Sequence, residues 1–363
     1  MSLVKLPSEI LYAIGQITMN DPYSILSLCL VNKWTYQSLS TLLYRSVRLD
    51  SDRSVSSFCD VVTSLRPDYS RYVVVLQIGP DWCVDDDGDY RLQRGLVPQL
   101  RRVLRSLVHL KHLSLSTTRK AFGLLFGGLN VPFQLDTFVH SGRLTKPLLR
   151  FLEGQPSIVR LGCHASMGLG SEKLLSDSVK ANPNLLPKLR ELESAIYIVA
   201  DLLGTRPISS LAVLGPMDLI YDRLTGLEFM IDSLKYTMVP LTRICIAEEV
   251  GIGNHWALFV GALRKSHASS TLKEISILHK FPLELQDYQL TVEKVMEGSY
   301  SFSFLRFEAL EKFEIVQASG SRYDPPPSDI LAWLTLQNME HLSSWRKHNP
   351  MLQTVILHGY MVT

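Results

Sequence analysis

One short phrase recurs along the chain: an apolar residue, two others, a second apolar residue, one other, and a third apolar residue. It reads as Leu110/Leu113/Leu115 and again as Leu272/Ile275/Ile277. Further copies are Ile208/Leu211/Val213, Leu241/Ile244/Ile246, Leu310/Phe313/Ile315 and Leu352/Val355/Leu357. Upstream, Tyr44/Val47/Leu49 and Val73/Leu76/Ile78 fit, and Leu135/Phe138/His140, Ile158/Leu161/Cys163 and Leu189/Leu192/Ser194 are weaker copies. Successive copies start between 19 and 42 residues apart, from position 44 to position 352. The last two apolar positions alternate, so each phrase predicts a short strand with one buried face.

The segments between phrases read as helices. Arg91 to Leu107 carries apolar residues at Leu92, Leu96, Val97, Leu100, Val103, Leu104 and Leu107, one helical stripe with Pro98 as a kink. Asp218–Leu234 and Asn254–Lys265 have similar character. A strand and a helix of this size cannot bury enough surface alone, but stacked neighbours share a continuous core. At 363 residues the chain is also longer than one hydrophobic core normally serves.

This pattern resembles a leucine-rich-repeat solenoid. The resemblance implies an α/β fold with parallel strands inside an arc and helices outside. The family usually places Asn or Cys three residues beyond the last apolar position of the phrase. Here those positions hold residues such as Asp52, Thr118, Tyr197, Lys280 and Tyr360, and none of the eleven is Asn or Cys. The asparagine ladder is therefore absent and the expected curvature is irregular. A doubly wound parallel sheet is the alternative, but no phosphate-binding glycine loop favours it.

The first fifty residues have a different pattern. Pro7 suits the first turn of a helix, and Ile10, Leu11, Ile14 and Ile17 make an apolar face. Asp21 and Pro22 form a second helix start, followed by Ile25, Leu26, Leu28 and Cys29. A third helix is predicted from Lys33 to Leu43, with Trp34, Leu39, Leu42 and Leu43 apolar. Three short helices bury little apolar surface among themselves. Such a segment calls for a partner, a neighbouring domain, or both.

Leu3 to Asp50 resembles an F-box. The opening leucine–proline and acidic–apolar pair match Leu6, Pro7, Glu9 and Ile10. The apolar helix, valine, polar pair and tryptophan match Leu26, Leu28, Val31, Asn32, Lys33 and Trp34. The closing motif matches Leu43, Tyr44 and Val47, with tyrosine in place of the usual final tryptophan. The resemblance implies a docking module over residues 1–50 that binds a Skp-type adaptor and, through it, a cullin–RING ligase. Residues 51–363 would be the repeat solenoid that holds a protein substrate. The partner-binding set it implies is Leu6, Pro7, Ile10, Leu28, Val31 and Trp34. If Trp34 instead belongs to the core, its truncation to Ala costs about 3–5 kcal/mol.

Other chemistry is sparsely signalled. The formal net charge is +2, from 37 basic and 35 acidic residues, which gives no field to attract nucleic acid. Five scattered cysteines form neither a disulfide framework nor a zinc spacing, which predicts a reducing, intracellular setting, cytoplasmic or nuclear. The N-terminus is a poor signal peptide and no apolar run is long enough to span a bilayer, so no membrane partner is expected. Asp85, Asp86, Asp87, Gly88 and Asp89 invite a calcium loop, but Cys83 and Arg94 would occupy its two ends, so a solvated acidic loop is expected. Gly168 with Gly170 and Gly251 with Gly253 lack the third glycine of a dinucleotide loop. Asp324 to Pro327 reads as a rigid loop, with Ser328 capping a final helix. No nucleophile elbow, metal motif or cofactor motif occurs.

In the arc, residues alternating with the buried positions face the concave side. The candidate substrate contacts are His112, Arg160, His164, Glu191, Glu193, Arg243, Glu274 and Lys312; Gln77, Ser114, Thr137, Glu314, Thr354 and His358 share the row. This mixture of charges suits a protein surface. The expected function is a non-catalytic substrate adaptor of a ubiquitin ligase. The alternatives are a repeat scaffold whose helical head is only a cap, and an enzyme in a cleft of the arc.

Overall fold

The computed structural model describes residues 6–18, 22–79, 92–116, 119–141, 144–164, 172–214, 232–248, 263, 266–279, 307–317, 327–336, 338–347 and 349–363. The fold is mixed α/β with mostly parallel strands, and within each unit the strands pair with their neighbours in the chain. Two compact units divide it: residues 1–158 with 165–168, and residues 159–164 with 169–363.

The first unit opens with a head of three helices: α1 (Ser8–Ile17), α2 (Pro22–Val31) and α3 (Lys33–Leu43). Asn32 fixes the α2–α3 corner. Its Oδ1 accepts from Thr35 N at 2.9 Å, and Thr35 Oγ1 accepts from Asn32 N at 3.2 Å, closing a capping box. The head's core is small: Leu11, Ile25, Cys29, Leu39 and Leu42, with Leu6, Tyr12, Leu28, Tyr36 and Leu43 packed on it. Gly15 lets α1 approach α3, because a Cβ there would meet Leu42 at 2.7 Å and Leu39 at 2.8 Å.

Behind the head come β1 (Ser46–Leu49), β2 (Val75–Ile78), β3 (His112–Ser116) and β4 (Thr137–Ser141), all parallel. The second and third apolar positions of the phrase line up across them. Val47 pairs with Leu76, Leu76 with Leu113, and Leu113 with Phe138. A repeated backbone clamp lies just ahead of each strand. The carbonyl one residue after the phrase's first position accepts two successive N–H groups of the next repeat. Arg45 O receives Val74 and Val75, Val74 O receives Lys111 and His112, and Lys111 O receives Asp136 and Thr137.

The described α-helices of these repeats are α4 (Asp52–Asp60), α5 (Leu96–Leu104), α6 (Arg119–Phe126) and α7 (Lys146–Glu153). The expected Arg91–Leu107 helix is shorter than its apolar stripe, and Pro98 lies in its first turn rather than at a kink. Leu92 and Leu107 are buried from the flanking turns instead. Tyrosines join the head to the first repeats. Tyr36 and Tyr69 hydroxyls are 3.2 Å apart, Tyr44 and Tyr69 rings are 4.4 Å apart, and Arg66 lies over the Tyr69 ring at 5.6 Å. That hydroxyl contact and burial push the Tyr36 phenol up to about 12.

The second unit holds β5 (Arg160–Cys163), β6 (Glu191–Ala195), β7 (Ser210–Leu214), β8 (Arg243–Glu248), β9 (Glu274–His279), β10 (Lys312–Gln317), β11 (Thr354–Leu357) and β12 (Tyr360–Val362). Its described helices are α8 (Glu172–Ala181), α9 (Ile196–Leu203), α10 (Pro327–Leu336) and α11 (Leu342–Arg346). The same clamp repeats at the carbonyls of Val159, Arg190, Ser209, Thr242, Lys273 and Glu311. β12 reverses direction and pairs antiparallel with β11. The turn between them places His358 at φ 47° and Gly359 at φ 82°. His358 is therefore buried in a turn and not in the open row expected for it.

Polar side chains just ahead of several phrases bind backbone groups of neighbouring turns. Gln155, 1% exposed, accepts from Leu135 N at 2.8 Å and donates to Phe133 O at 3.3 Å. Arg206 is also buried, and its guanidinium donates to the carbonyls of Leu185, Thr205, Asn182 and Val179. Burial pushes its pKa down, yet guanidinium remains charged. Ser157 Oγ donates to Leu135 O and Thr271 Oγ1 to Leu241 O, so each hydroxyl bridges to the preceding repeat.

Ser328 lies inside α10, which starts at Pro327, so it is not the cap. The acidic stretch Asp85–Asp89, the glycine pairs at 168/170 and 251/253, and residues 324–326 lie outside the described residues. So do most of the helices expected at Asp218–Leu234 and Asn254–Lys265; at the end of the first, Leu234–Tyr236 form a 3-10 turn. No helix among the described residues is long and apolar enough to cross a membrane.

Candidate binding surfaces

Two surfaces carry all but one of the predicted site residues. The first is the outside of the helical head. α2 has apolar side chains on every face: Ile25 and Cys29 point into the core, while Tyr23 is 80% and Leu30 77% exposed. A helix of that kind normally has both faces covered. Ile17 on α1 is 82% exposed, and Ile10, Leu26, Val31 and Trp34 are each about half exposed. Of the six residues predicted to face a partner, Pro7, Ile10, Val31 and Trp34 are exposed, and Leu6 and Leu28 pack on the small core. Trp34 is 44% exposed, so the core role and its cavity cost do not apply. Tyr23, Leu30 and Ile17, the most exposed of the group, were missed because apolar residues at helical spacing read as core.

The second surface is the open face of the strands in the second unit. Its rows follow from the strand register. One row runs Arg160, Glu191, Ser210, Arg243, Glu274, Lys312 and Thr354, each opposite the next. The adjacent row runs Gly162, Glu193, Ala212, Cys245, Ser276 and Glu314. The second row has small residues in its middle, so a shallow floor lies between Glu193 and Glu314.

Charges on this face are largely paired within the protein. Arg160 is 3.1 Å from Glu193 and 4.0 Å from Glu191, and His164 Nε2 is 2.9 Å from Glu193 Oε1. The His164 contact is close but not aligned as a hydrogen bond. Arg243 meets Glu274 at 3.4 Å, and Lys312 meets Glu314 at 2.8 Å. Ser276 Oγ donates to Glu314 at 3.3 Å, and Lys273 meets Glu311 at 2.7 Å. Burial opposes ionisation of Glu193, but His164 and Arg160 outweigh it and hold the carboxyl at about 2. Burial pushes the Cys245 thiol up to about 11, which leaves it protonated and a poor nucleophile.

Seven of the eight predicted substrate contacts thus fall on this face of the second unit. The eighth, His112, is half-buried on β3 of the first unit. Sequence reading missed Ser276, Cys245 and the strand-start residues Arg190, Ser209 and Lys273. Among the described residues no group of three or more His, Cys, Asp or Glu could hold a metal ion. No protein-family model matches the chain, and no curated protein matches it.

Proposed function

We propose that this chain is a substrate-recognition adaptor of a Skp–cullin–F-box ubiquitin ligase and performs no covalent chemistry itself. The observation that carries the reading is the helical head. Among the described residues, seven large apolar side chains between Ile10 and Trp34 are exposed over a hydrophobic core of five buried residues. Exposed apolar clusters on that scale mark interaction sites, and the F-box resemblance supplies the partner: a Skp-type adaptor linked to a cullin and a RING subunit. The leucine-rich-repeat reading of the strands makes the second unit's open face the seat of a protein substrate. Ubiquitin chemistry then belongs to other subunits, in the cytoplasm or nucleus.

A second reading treats the head only as a cap on the repeats. The contacts of Tyr36 and Tyr44 with Tyr69 favour it, since they tie α3 to the first repeats. The two readings separate in a pull-down of purified Skp-type adaptor by the full chain and by Tyr23→Glu/Leu30→Glu. Both side chains are exposed, so the variant keeps its fold, checked by circular dichroism. Capture by the native chain and loss in the variant supports the adaptor. No capture by a folded native chain leaves the cap.

A further inference from the structure

A shallow pocket of about 310 Å3 opens at the start of strands β6 to β9. Its origin is legible repeat by repeat. The two residues at the beginning of each strand are Arg190/Glu191, then Ser209/Ser210, then Thr242/Arg243, then Lys273/Glu274. Three repeats carry long charged side chains there, and the Ser209/Ser210 repeat carries none. The serine pair leaves a gap one strand wide, walled by its neighbours.

The charges around that gap are unevenly paired. Glu191 is within 4.0 Å of Arg160, Glu274 is paired with Arg243 at 3.4 Å, and Lys273 with Glu311 at 2.7 Å. Glu191 shares Arg160 with the closer Glu193, and among the described residues no carboxylate pairs with Arg190. The Ser209 and Ser210 hydroxyls likewise make no hydrogen bond among the described residues, although they line the pocket. Neighbouring strands lie about 4.8 Å apart. Arg190 and Arg243 flank the serines from the strands on either side, a span of roughly 10 Å that two guanidinium side chains can close on one anion. The Arg243–Glu274 pair is exposed, and pairs of that kind exchange partners at little cost.

We infer that this pocket receives an acidic side chain, a carboxylate or a phosphate ester, from the protein segment held on the open face of the second unit. This rests on the adaptor reading, which assigns that face to a substrate. The anion would lie between Arg190 and Arg243 and accept hydrogen bonds from Ser209 and Ser210. The rest of the segment would follow the small-residue floor of Ala212, Cys245 and Ser276.

The test uses the full chain and four fluorescent nonapeptide libraries whose central residue is Glu, phosphoserine, Ser or Lys. Affinities are read by fluorescence polarisation. Two variants accompany the native chain: Arg190→Glu reverses the unpaired charge, and Ser210→Leu fills the gap. Acidic centres are expected to bind at least 5-fold tighter than Ser, and both variants are expected to erase that preference. Phosphoserine well ahead of Glu identifies the phosphate source; equal binding identifies the carboxylate. No preference, a preference for Lys, or a preference that survives both substitutions overturns the pocket. Capture of the Skp-type adaptor is measured on the same preparations. Capture without acidic preference defeats the pocket alone, and acidic preference without capture defeats the ligase reading alone.

Discussion

The helical head leaves Ile17, Tyr23 and Leu30 more than three-quarters exposed, while the open face of the second unit shows charges that its own neighbours mostly neutralise. The difference has energetic consequences. An uncovered apolar cluster gains free energy when a partner excludes water from it, at about 25 cal/mol per Å2. A face of paired charges gains little from burial but discriminates strongly between segments of different charge pattern. Under the adaptor proposal, the head would supply affinity toward one fixed partner and the sheet face selection among many.

The sharpest way to probe that contrast is inside the head itself. Leu39 is fully buried among five core residues, and Trp34 is half exposed on the same helix. Leu39→Ala should cost about 2–5 kcal/mol by leaving a cavity, enough to unfold a head with so little core. Trp34→Ala should cost less than about 1 kcal/mol of stability, as exposed positions usually do, while weakening capture of the partner. Urea unfolding of both variants beside the adaptor pull-down checks the pair. Equal destabilisation by the two would return Trp34 to the core.

The next largest effect should come from the buried polar clamps of the repeats. Arg206→Met keeps the volume of the stem but removes the donor to the carbonyls of Leu185, Asn182 and Thr205. A loss of about 2–3 kcal/mol is expected, read as a lower urea midpoint. Arg206→Lys should recover only part of it, because one ammonium cannot reach carbonyls that the planar guanidinium serves from three nitrogens.

Glu193 couples the face to pH. Its folded pKa, about 2, lies below the ordinary value of 4.5. A depressed carboxyl contributes stability that is fully present above the unfolded pKa and is lost as pH falls through the folded one. The native chain should therefore lose roughly 1–2 kcal/mol between about pH 4.5 and pH 2 through this group, after allowance for solvent screening. Glu193→Gln should already lack that contribution at pH 5 and show a flatter acid limb. Parallel urea titrations at pH 5, 4 and 3 measure it; parallel curves for the two proteins would remove the coupling.

The repeat was readable because its constraint is periodic. Every copy must place two side chains inward at a period of two, so even the weak copies ending in His140, Cys163 and Ser194 have those residues buried. Helix ends were less readable: the stripe around α5 runs past it at Leu92 and Leu107, since loops that cover a core are apolar too. Gln155 and Arg206 left no periodic trace, because a buried polar residue is recognised only by the backbone groups that it meets in three dimensions. The partner surface was half readable. Apolar residues at helical spacing do not say which face lacks a cover, and only the exposures of Tyr23 and Leu30 decide that. The Arg190 pocket depends on comparing strand-start pairs across repeats, a comparison that requires the register to be fixed first.

The smallest effect should come from the exposed pairs on the sheet face. Lys273 and Glu311 meet at 2.7 Å, yet their side chains are 53% and 35% exposed. Water solvates both charges well, and ordering two long side chains offsets most of the attraction. Lys273→Ala is expected to change stability by less than about 0.5 kcal/mol and to lose even that at high salt. Its effect should fall on binding instead. The substitution frees Glu311 and removes a cation beside the pocket, so acidic peptides should weaken by about 2-fold while the urea midpoint stays in place. A stability loss as large as that of Arg206→Met would mean that the sheet face holds the repeats together, and the division of labour between the two surfaces would fall.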